Sequence, residues 1–278
     1  MPLPAWTDGG LVEEPDHGTV AFDAGLLSGI GVFETLRAHG RAMIAPARHV
    51  ARLLDGARRI GIAADEEQVT EALVRTLDAP RDVDEVAVRM TLTAGPVSVD
   101  AWPPEPVGTP RLAISLHPAP PLPLPAVALA TVTARRWPAD LKATSYLPSV
   151  LARRAAVAAG ADTGLLVDGD ELLETAEGNL LAIIGGTLVT PPADGRILPG
   201  VTRAIVLEVA RELGVPTREV RLTRAAVHGA EVTFVTSAVS GLRTVHRLDA
   251  DALRGSGVGG PVHPTVEEFR AGIERRRS

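Results

Sequence analysis

The sequence predicts a two-domain protein of the α+β (mixed α/β) class, and three observations lead to that prediction. Segments with period-two alternation, typical of half-buried strands, occur on both sides of a proline-rich stretch. Segments with apolar residues at helical spacing lie among them. The 278 residues are 45% hydrophobic and 22% charged, which is enough for one large core or two smaller ones. Strands that alternate with a few helices in both halves define the class.

The proline-rich stretch 118–125 predicts the domain organisation. It contains too much proline for a helix or a central strand and should run extended. We interpret it as a linker between an N-terminal α/β domain, 1–117, and a C-terminal domain, 126–278. The alternative is a surface loop within a single domain.

Before the linker, the pattern predicts two strands and two helices. In the second strand every other residue is apolar, so Arg89 should lie on the opposite, partly polar face. The elements are a strand over 31–37, a helix with its apolar stripe at Val50, Leu53, Leu54, Ala57 and Ile60 and its end at Gly61, a helix carrying Val69, Leu73 and Leu77, and a strand over 85–93.

After the linker, strands again alternate with helices, and glycines mark several of the element ends. The predicted elements are a strand over 127–133, a helix over 149–159 ended by Gly160, a hairpin of 165–167 with 171–174, a hairpin of 180–184 with 187–190, a helix over 201–213 between Gly200 and Gly214, and a strand over 232–236 that leads into a turn of small residues, 237–241.

Composition excludes several classes of function. The net charge is −6 and the one basic run is 275–277, so a nucleic-acid partner is not expected. The chain has no cysteine, which excludes disulfides, thiol nucleophiles and zinc–thiolate sites, and we predict no metal. The start resembles no signal peptide and no apolar run reaches membrane-spanning length. We therefore expect a cytoplasmic protein without a membrane partner.

One residue directs the search for chemistry. Lys142 is the single lysine among 28 Lys and Arg residues, and the single tyrosine, Tyr146, follows four residues later. Arginine cannot lose its proton near neutral pH and attack a carbonyl, whereas lysine can. The neighbours Leu141 and Ala143 are apolar, and desolvation lowers the pKa of an ammonium group from about 10.4, which makes a Schiff base feasible. The alternative is that the amino-acid composition is biased against lysine and tyrosine, and that these two residues remain by chance.

A Schiff-base enzyme that uses pyridoxal phosphate needs an acid for the ring nitrogen, a phosphate cradle and a substrate reader. For the phosphate, the helix start 198–203 and the turn 236–241 are candidates. For the acid, spacing does not choose between Glu171, Glu174 and Glu177. Arg52 lies opposite the apolar stripe of its helix, which predicts a solvated side chain.

Five ordered motifs resemble one family over about residues 20 to 245. It is the class IV (fold-type IV) family of pyridoxal-phosphate enzymes, with branched-chain aminotransferases, D-amino acid aminotransferases and 4-amino-4-deoxychorismate lyases. The resemblance implies a D-amino acid aminotransferase-like fold, with a smaller N-terminal α/β domain and a larger C-terminal pseudo-barrel domain that carries the lysine. The motifs are 31–37, 49–53, 142–152 followed by 160–162, 174–180 followed by 190–192, and 197–203.

The resemblance also implies roles for individual residues, with pyridoxal 5'-phosphate as cofactor. Lys142 resembles the Schiff-base lysine that shuttles the substrate proton, and Glu174, five residues before Asn179, resembles the glutamate that bonds the pyridine nitrogen. Glu177 does not occupy that place. The other cofactor residues implied are Arg52, Val201, Thr202, Ser237 and Ala238 at the phosphate, and Tyr146 near the phenolic oxygen.

The substrate side departs from the family pattern. Ile30 stands where the family often has Asp, and Ala94 stands where many lyases and D-specific aminotransferases have Arg. The usual carboxylate reader is therefore missing. The substrate residues that we expect instead are Arg89, Arg37 and Arg243 for the carboxylate, together with Phe33.

Among family members, the motifs at 33–37 and 142–152 look most like 4-amino-4-deoxychorismate lyase. Such an enzyme would expel pyruvate by β-elimination and leave 4-aminobenzoate, with Lys142 as base and acid. The alternatives are an aminotransferase for branched-chain or D-amino acids, and a relative that binds a cofactor or metabolite without turnover. The resemblance further implies a homodimer with a small amino-acid-like substrate.

Overall fold

A computed structural model describes residues 5–7, 10–12, 23–98, 102–103, 105–258 and 260–278. The chain forms two compact units. The first comprises Met1–Ala119, Leu141–Ser145 and Arg277–Ser278, and the second comprises Pro120–Asp140 and Tyr146–Arg276.

The first unit contains an antiparallel sheet with two longer helices. Its elements are β1 Ala5–Thr7, β2 Gly10–Val12, α1 Ala24–Ser28, β3 Gly31–His39, β4 Ala42–Met43, α2 Pro46–Arg59, α3 Glu66–Asp78, β5 Glu85–Thr93, β6 Val97–Ser98, β7 Glu105–Pro106 and β8 Arg111–Pro118. Six strands form one sheet in the order β2-β1-β8-β5-β3-β4, and β6 pairs with β7 separately.

The core of this unit lies on one face of the β3–β5 pair. The register places Val32 opposite Leu92 and Leu36 opposite Val88, and all four side chains are buried. The apolar stripes predicted for α2 and α3 belong to the same core. The alternation predicted for 85–93 is confirmed residue by residue, since β5 is buried at every second position.

The second unit contains a larger, mixed sheet. Its elements are β9 Val127–Val132, α4 Leu147–Ala158, β10 Thr163–Asp168, β11 Glu171–Thr175, β12 Asn179–Ile184, β13 Thr187–Thr190, α5 Val201–Glu212, β14 Thr217–Glu219, β15 Leu222–Thr223, α6 Arg224–His228, β16 Val232–Ser237, β17 Gly241–Leu248, β18 Asp251–Ala252 and α7 Pro264–Glu274.

Six of these strands close into a barrel-like ring. The order β12-β16-β17-β9-β10-β11 returns to β12, because β11 pairs with both β10 and β12. The closing bridge joins Glu174 of β11 to Asn179 of β12. Closure leaves no open edge within the ring and encloses an apolar core that includes Leu129, Leu165 and Leu180.

The lysine segment associates with the first unit through main-chain bonds. The Thr144 amide donates to the Gly31 carbonyl at 2.9 Å, and the Phe33 amide donates to the Lys142 carbonyl at 2.9 Å. The sequence assigned this segment to the C-terminal domain, whereas Leu141–Ser145 clusters with the first unit. The proline-rich segment has no regular structure over 119–126, between β8 and β9.

Several elements were not predicted from the sequence. In β8 and β17 the burial does not alternate strictly, so period-two counting finds no clear signal. Helix α7 does carry a helical signal, because Val266, Phe269 and Ile273 are buried at helical spacing. Among the helices in the described part of the chain, none has the length and apolar character needed to cross a membrane.

Candidate active site

Lys142 is held by the start of strand β3. Its segment forms an antiparallel bridge between Ala143 and Val32. The Thr144 hydroxyl also donates to the carbonyl oxygens of Gly29 and Gly31, at 3.0 and 3.2 Å. The main chain from the Lys142 carbonyl to Thr144 is therefore fixed, while the lysine side chain is only partly buried.

The Lys142 amine and the Arg89 guanidinium both contact the aromatic ring of Phe33. Lys142 Nζ lies 4.6 Å from the centroid of the Phe33 ring, and Arg89 Cζ lies 3.8 Å from the same centroid. Both distances are in the range of cation–π interactions. Phe33 and Arg89 project from the same face of the sheet, since Phe33 is opposite Thr91 in the register. A nucleophilic amine and a cation able to bind a carboxylate thus meet in the first unit.

The other two arginine candidates have different surroundings. Arg37 is buried and forms an ion pair with Glu85 at 2.6 Å. Arg243, in β17 of the second unit, donates from Nε to the Pro125 carbonyl at 3.0 Å. Arg89 is therefore the candidate whose position next to Lys142 favours a role in substrate binding.

The prediction of a solvated Arg52 is wrong. Arg52 donates from Nε to Glu34 Oε1 at 2.6 Å and from Nη2 to Glu34 Oε2 at 2.9 Å. His49 Nδ1 lies 2.8 Å from Glu34 Oε2. Burial alone would raise the pKa of the Glu34 carboxyl, but hydrogen bonds and charge from His49 and Arg52 lower it to about 2. The carboxylate is ionised, and it draws Arg52 towards the sheet.

Glu174 is a buried carboxylate surrounded by donors in the second unit. Its side chain is 3% exposed, and Arg136 Nη2 lies 2.5 Å from its Oε1. The Leu198 amide donates to Oε2 at 3.1 Å, and Asn179 Nδ2 donates to the same oxygen at 3.3 Å. Hydrogen bonds from three donors stabilise the charged form of the group.

The structure separates the three glutamates between which spacing could not choose. Glu177 is exposed and accepts from the Thr163 hydroxyl at 2.5 Å. Glu171 forms a two-point ion pair with Arg196, at 2.7 and 2.9 Å. Glu174 alone of these three is buried at the barrel closure.

Arg136 is a candidate site residue that sequence reasoning missed. Its side chain is 11% exposed, against 82% for the adjacent Arg135. A further bond to the Ala139 carbonyl, at 2.6 Å, holds the loop in place. Among the described residues, Arg136 Nε is buried without a hydrogen-bond partner, which provides a donor near Glu174. No spacing signal distinguishes Arg136 from Arg135, because the residues follow β9 in an irregular loop.

Tyr146 lies at the start of α4. Its hydroxyl donates to the Ala176 carbonyl at 2.8 Å. Burial raises the pKa of this phenol, and the charge of Arg136 opposes that shift. The single tyrosine therefore keeps its phenolic proton, although the positive charge of Arg136 acts on it.

Asn179 connects Glu174 to the start of helix α5. Its Nδ2 also donates to the Leu198 carbonyl at 2.9 Å. Gly200 occupies the N-cap, and a Cβ atom there would overlap with Asn179 Oδ1, so a larger residue would displace the Asn179 side chain. Without a capping side chain, the amides of Val201 and Thr202 form a helix start suited to an anion.

The second predicted phosphate element also forms a turn. Ser237 ends β16, and its Oγ accepts from the Ser240 amide at 3.1 Å. Ala238 follows in the turn itself. Gly178, on the neighbouring connection, lies so close to the Thr236 carbonyl that a Cβ atom would overlap with it. The main chain is tightly packed at this end of β16.

Comparison with known proteins identifies the class. Residues 31–248 match the family described as amino-transferase class IV. Because the match covers most of the chain, the protein belongs to this family of enzymes, which depend on pyridoxal phosphate.

Individual relatives are similar over nearly the whole chain. The chain is 31% identical over 274 residues to a putative branched-chain-amino-acid aminotransferase of Methanocaldococcus jannaschii. The aligned region covers 95% of this chain and 94% of the relative. It is 26% identical over 258 residues to a D-alanine aminotransferase of Staphylococcus epidermidis, with 91% of each chain covered.

Solved structures confirm the predicted fold-type IV architecture. A branched-chain aminotransferase from Thermoproteus uzoniensis with norvaline has a TM-score of 0.87 and 26% identity, covering 99% of this chain and 94% of that one. A putative 4-amino-4-deoxychorismate lyase from Legionella pneumophila has a TM-score of 0.84 and 25% identity, covering 95% and 96%.

The described residues fit the family's cofactor. An aldehyde needs an amine, and Lys142 is the single lysine of the chain. A pyridine nitrogen needs a buried anionic partner, which Glu174 provides. A phosphate needs main-chain donors and cations, for which the start of α5 and Arg52 are suitable.

Proposed function

We propose that the protein is an amino-acid aminotransferase with a preference for branched-chain substrates. The observation that carries the proposal is the contact of Lys142 and Arg89 with the Phe33 ring, which brings together an amine and a carboxylate-binding cation. The choice of aminotransferase is supported by the 31%-identical relative, whose name specifies branched-chain amino acids.

The residues have separate roles in this proposal. Bound pyridoxal phosphate supplies an electron sink for the carbanion beside the substrate amine. Lys142 Nζ would hold the cofactor aldehyde until the substrate amine displaces it. The freed amine would then take the proton from the substrate α-carbon and deliver it to the cofactor carbon that carried the aldehyde. Glu174 holds a proton on the ring nitrogen. The residues that would hold the phosphate are Arg52, Val201, Thr202, Ser237 and Ala238. In this proposal Tyr146 lies near the phenolic oxygen and would donate to it only after its hydroxyl leaves the Ala176 carbonyl.

Arg89 reads the substrate carboxylate. Its guanidinium is oriented by the Phe33 ring, and a planar guanidinium binds a carboxylate through two parallel hydrogen bonds. Arg89 thus takes the place of the arginine that many family members have where this chain has Ala94. Arg37 and Arg243 are the weaker candidates, because one is paired with Glu85 and the other bonds main chain.

A second candidate function is that of a 4-amino-4-deoxychorismate lyase. The motifs at 33–37 and 142–152 and the 25%-identical Legionella structure support it. The lyase and the aminotransferase would use the same lysine and the same acid. They differ in the fate of the substrate, because the lyase releases pyruvate by breaking a bond at the β-position.

The two are separated by a product assay on the pure protein with added cofactor. L-leucine, L-isoleucine, L-valine or D-alanine would be supplied with 2-oxoglutarate, and aminodeoxychorismate in a separate reaction. We expect glutamate from the L-amino acids. Pyruvate and 4-aminobenzoate from aminodeoxychorismate would establish the lyase instead.

Lys142→Arg is the matched control, since it keeps the positive charge and removes the amine. We expect it to abolish turnover. Absence of product in every wild-type reaction would favour a relative that binds without turnover.

A further inference from the structure

A carboxylate lies in the core face of the first unit. Strand β3 presents Val32, Glu34 and Leu36 to the same side, where their partners across the sheet are Leu92, Met90 and Val88. The Glu34 side chain is 0% exposed. A buried carboxylate costs free energy unless it is paired, and an apolar residue of similar size is often at least as stable at such a position.

Helix α2 supplies the partners of this carboxylate. His49 and Arg52 are three residues apart and therefore share a helix face. Arg52 uses both Nε and Nη2, at 2.6 and 2.9 Å, so that its guanidinium lies edge-on to the carboxylate. His49 Nδ1, at 2.8 Å, holds the carboxylate from a second direction.

This geometry fixes the orientation of the guanidinium. Two parallel bonds define its plane, and they direct Nη1 away from Glu34. The Arg52 side chain is 18% exposed, whereas Glu34 is fully buried, so one edge of the arginine faces the core and the other faces outwards. An arginine without such a partner would retain several rotamers, and ordering them would cost binding free energy.

We propose that Glu34 is a positioning residue for the cofactor phosphate. It aligns Arg52 so that Nη1 is presented to the phosphate, and His49 in turn orients Glu34. The inference rests on the proposed function, in which Arg52 binds the phosphate. Glu34 itself does not touch the cofactor, and as an anion it would repel a phosphate. Its contribution is therefore orientation, which outweighs the charge that it adds.

The test compares two ligands that differ by the phosphate alone. Pyridoxal phosphate and pyridoxal share the aldehyde and the ring, so damage to the fold weakens both, whereas loss of phosphate alignment weakens only the first. The dissociation constants of both ligands would be measured by absorbance titration of cofactor-free wild-type protein, Glu34→Gln and Glu85→Gln. Glu85 is the matched control, since it pairs with an arginine of the same sheet.

We expect Glu34→Gln to raise the dissociation constant of pyridoxal phosphate at least tenfold and to change that of pyridoxal by less than twofold. Glu85→Gln should leave the ratio of the two constants as in the wild type. Equal weakening of both ligands by Glu34→Gln would show a structural role and overturn the proposal. Unchanged or tighter binding of pyridoxal phosphate would overturn it as well.

Two further measurements keep the outcomes distinct. If Glu34→Gln does not fold, Glu34→Asp retains the charge with a shorter reach, and we expect a several-fold rise for pyridoxal phosphate alone. An unchanged ratio in that variant would also overturn the proposal. Wild-type protein that binds neither ligand, or in which borohydride does not fix the ligand on Lys142, would refute the proposed function. If the wild type binds both ligands and Glu34→Gln leaves the ratio of their dissociation constants unchanged, only the role of Glu34 is refuted.

Discussion

At the scale of single residues, Glu174 and Glu177 provide the sharpest comparison. They lie three positions apart, but Glu174 is buried among donors and Glu177 is exposed. Glu174→Gln should retain the cofactor and lower kcat by about 100-fold or more, because a neutral amide cannot keep the ring nitrogen protonated. Glu177→Gln should leave kcat within about twofold. Steady-state kinetics with a cofactor absorbance spectrum would check both, and reversed effects would contradict the assignment.

Arg89 is tested in the same way. Arg89→Leu should raise the KM for the amino acid by about tenfold or more, since a charge-assisted hydrogen bond contributes about 1.5–3 kcal/mol. The cofactor spectrum should not change. Arg58→Leu is the control, because the Arg58 side chain is 78% exposed on α2 of the same unit. Wild-type KM in Arg89→Leu would transfer the role to Arg37 or Arg243.

Elements show where sequence reasoning succeeds and where it fails. Strand β5 alternates apolar and other residues without exception, so its bounds and the face of Arg89 could be predicted. Strand β3 has large apolar residues on both faces, Phe33 on one and Leu36 on the other. Period-two alternation therefore could not show that Glu34 faces the core. Arg136 could not be predicted either, since its burial depends on contacts of an irregular loop.

The start of helix α5 allows a prediction at the scale of an element. Gly200 has φ −67°, which alanine also adopts, so Gly200→Ala would act only through overlap with Asn179. Displaced Asn179 would lose its bonds to Glu174 and Leu198, at a cost of about 1–3 kcal/mol.

Thermal unfolding would show this as a lower Tm for Gly200→Ala, together with weaker cofactor binding. The control is Gly229→Ala, at φ −80°, where the nearest atom to the new Cβ is 3.6 Å away. Equal Tm values for the two variants would contradict the packing at Gly200.

For the whole molecule, Glu34 links stability to acid pH. Its pKa falls from the ordinary value of 4.5 to about 2 on folding, so the unfolded chain takes up the proton first. The stabilisation is complete above pH 4.5 and is lost as the pH falls towards 2. Its size is on the order of 3 kcal/mol. Urea unfolding at several pH values should show the difference between wild type and Glu34→Gln shrinking in that window, and a difference independent of pH would contradict it.

Assembly is the second prediction at this scale. We propose a homodimer, as the family resemblance implies. Leu147, Leu151 and Val157 of α4 are exposed, and association would remove such apolar area from water. Sedimentation velocity at assay concentration should give the mass of two chains, about twice 29.0 kDa. An active monomer at that concentration would contradict the proposal.

The single lysine has one more consequence. Lys142 is the only side-chain amine in a chain that uses arginine elsewhere, and its main chain is fixed against β3. Reductive methylation of the cofactor-free protein with ¹³C-formaldehyde would therefore label one side chain and the amino terminus. A two-dimensional NMR spectrum would contain one side-chain resonance, and its chemical shift would report the ring current of Phe33. The amino group that we assign to catalysis is thus also a built-in spectroscopic probe that needs no mutation.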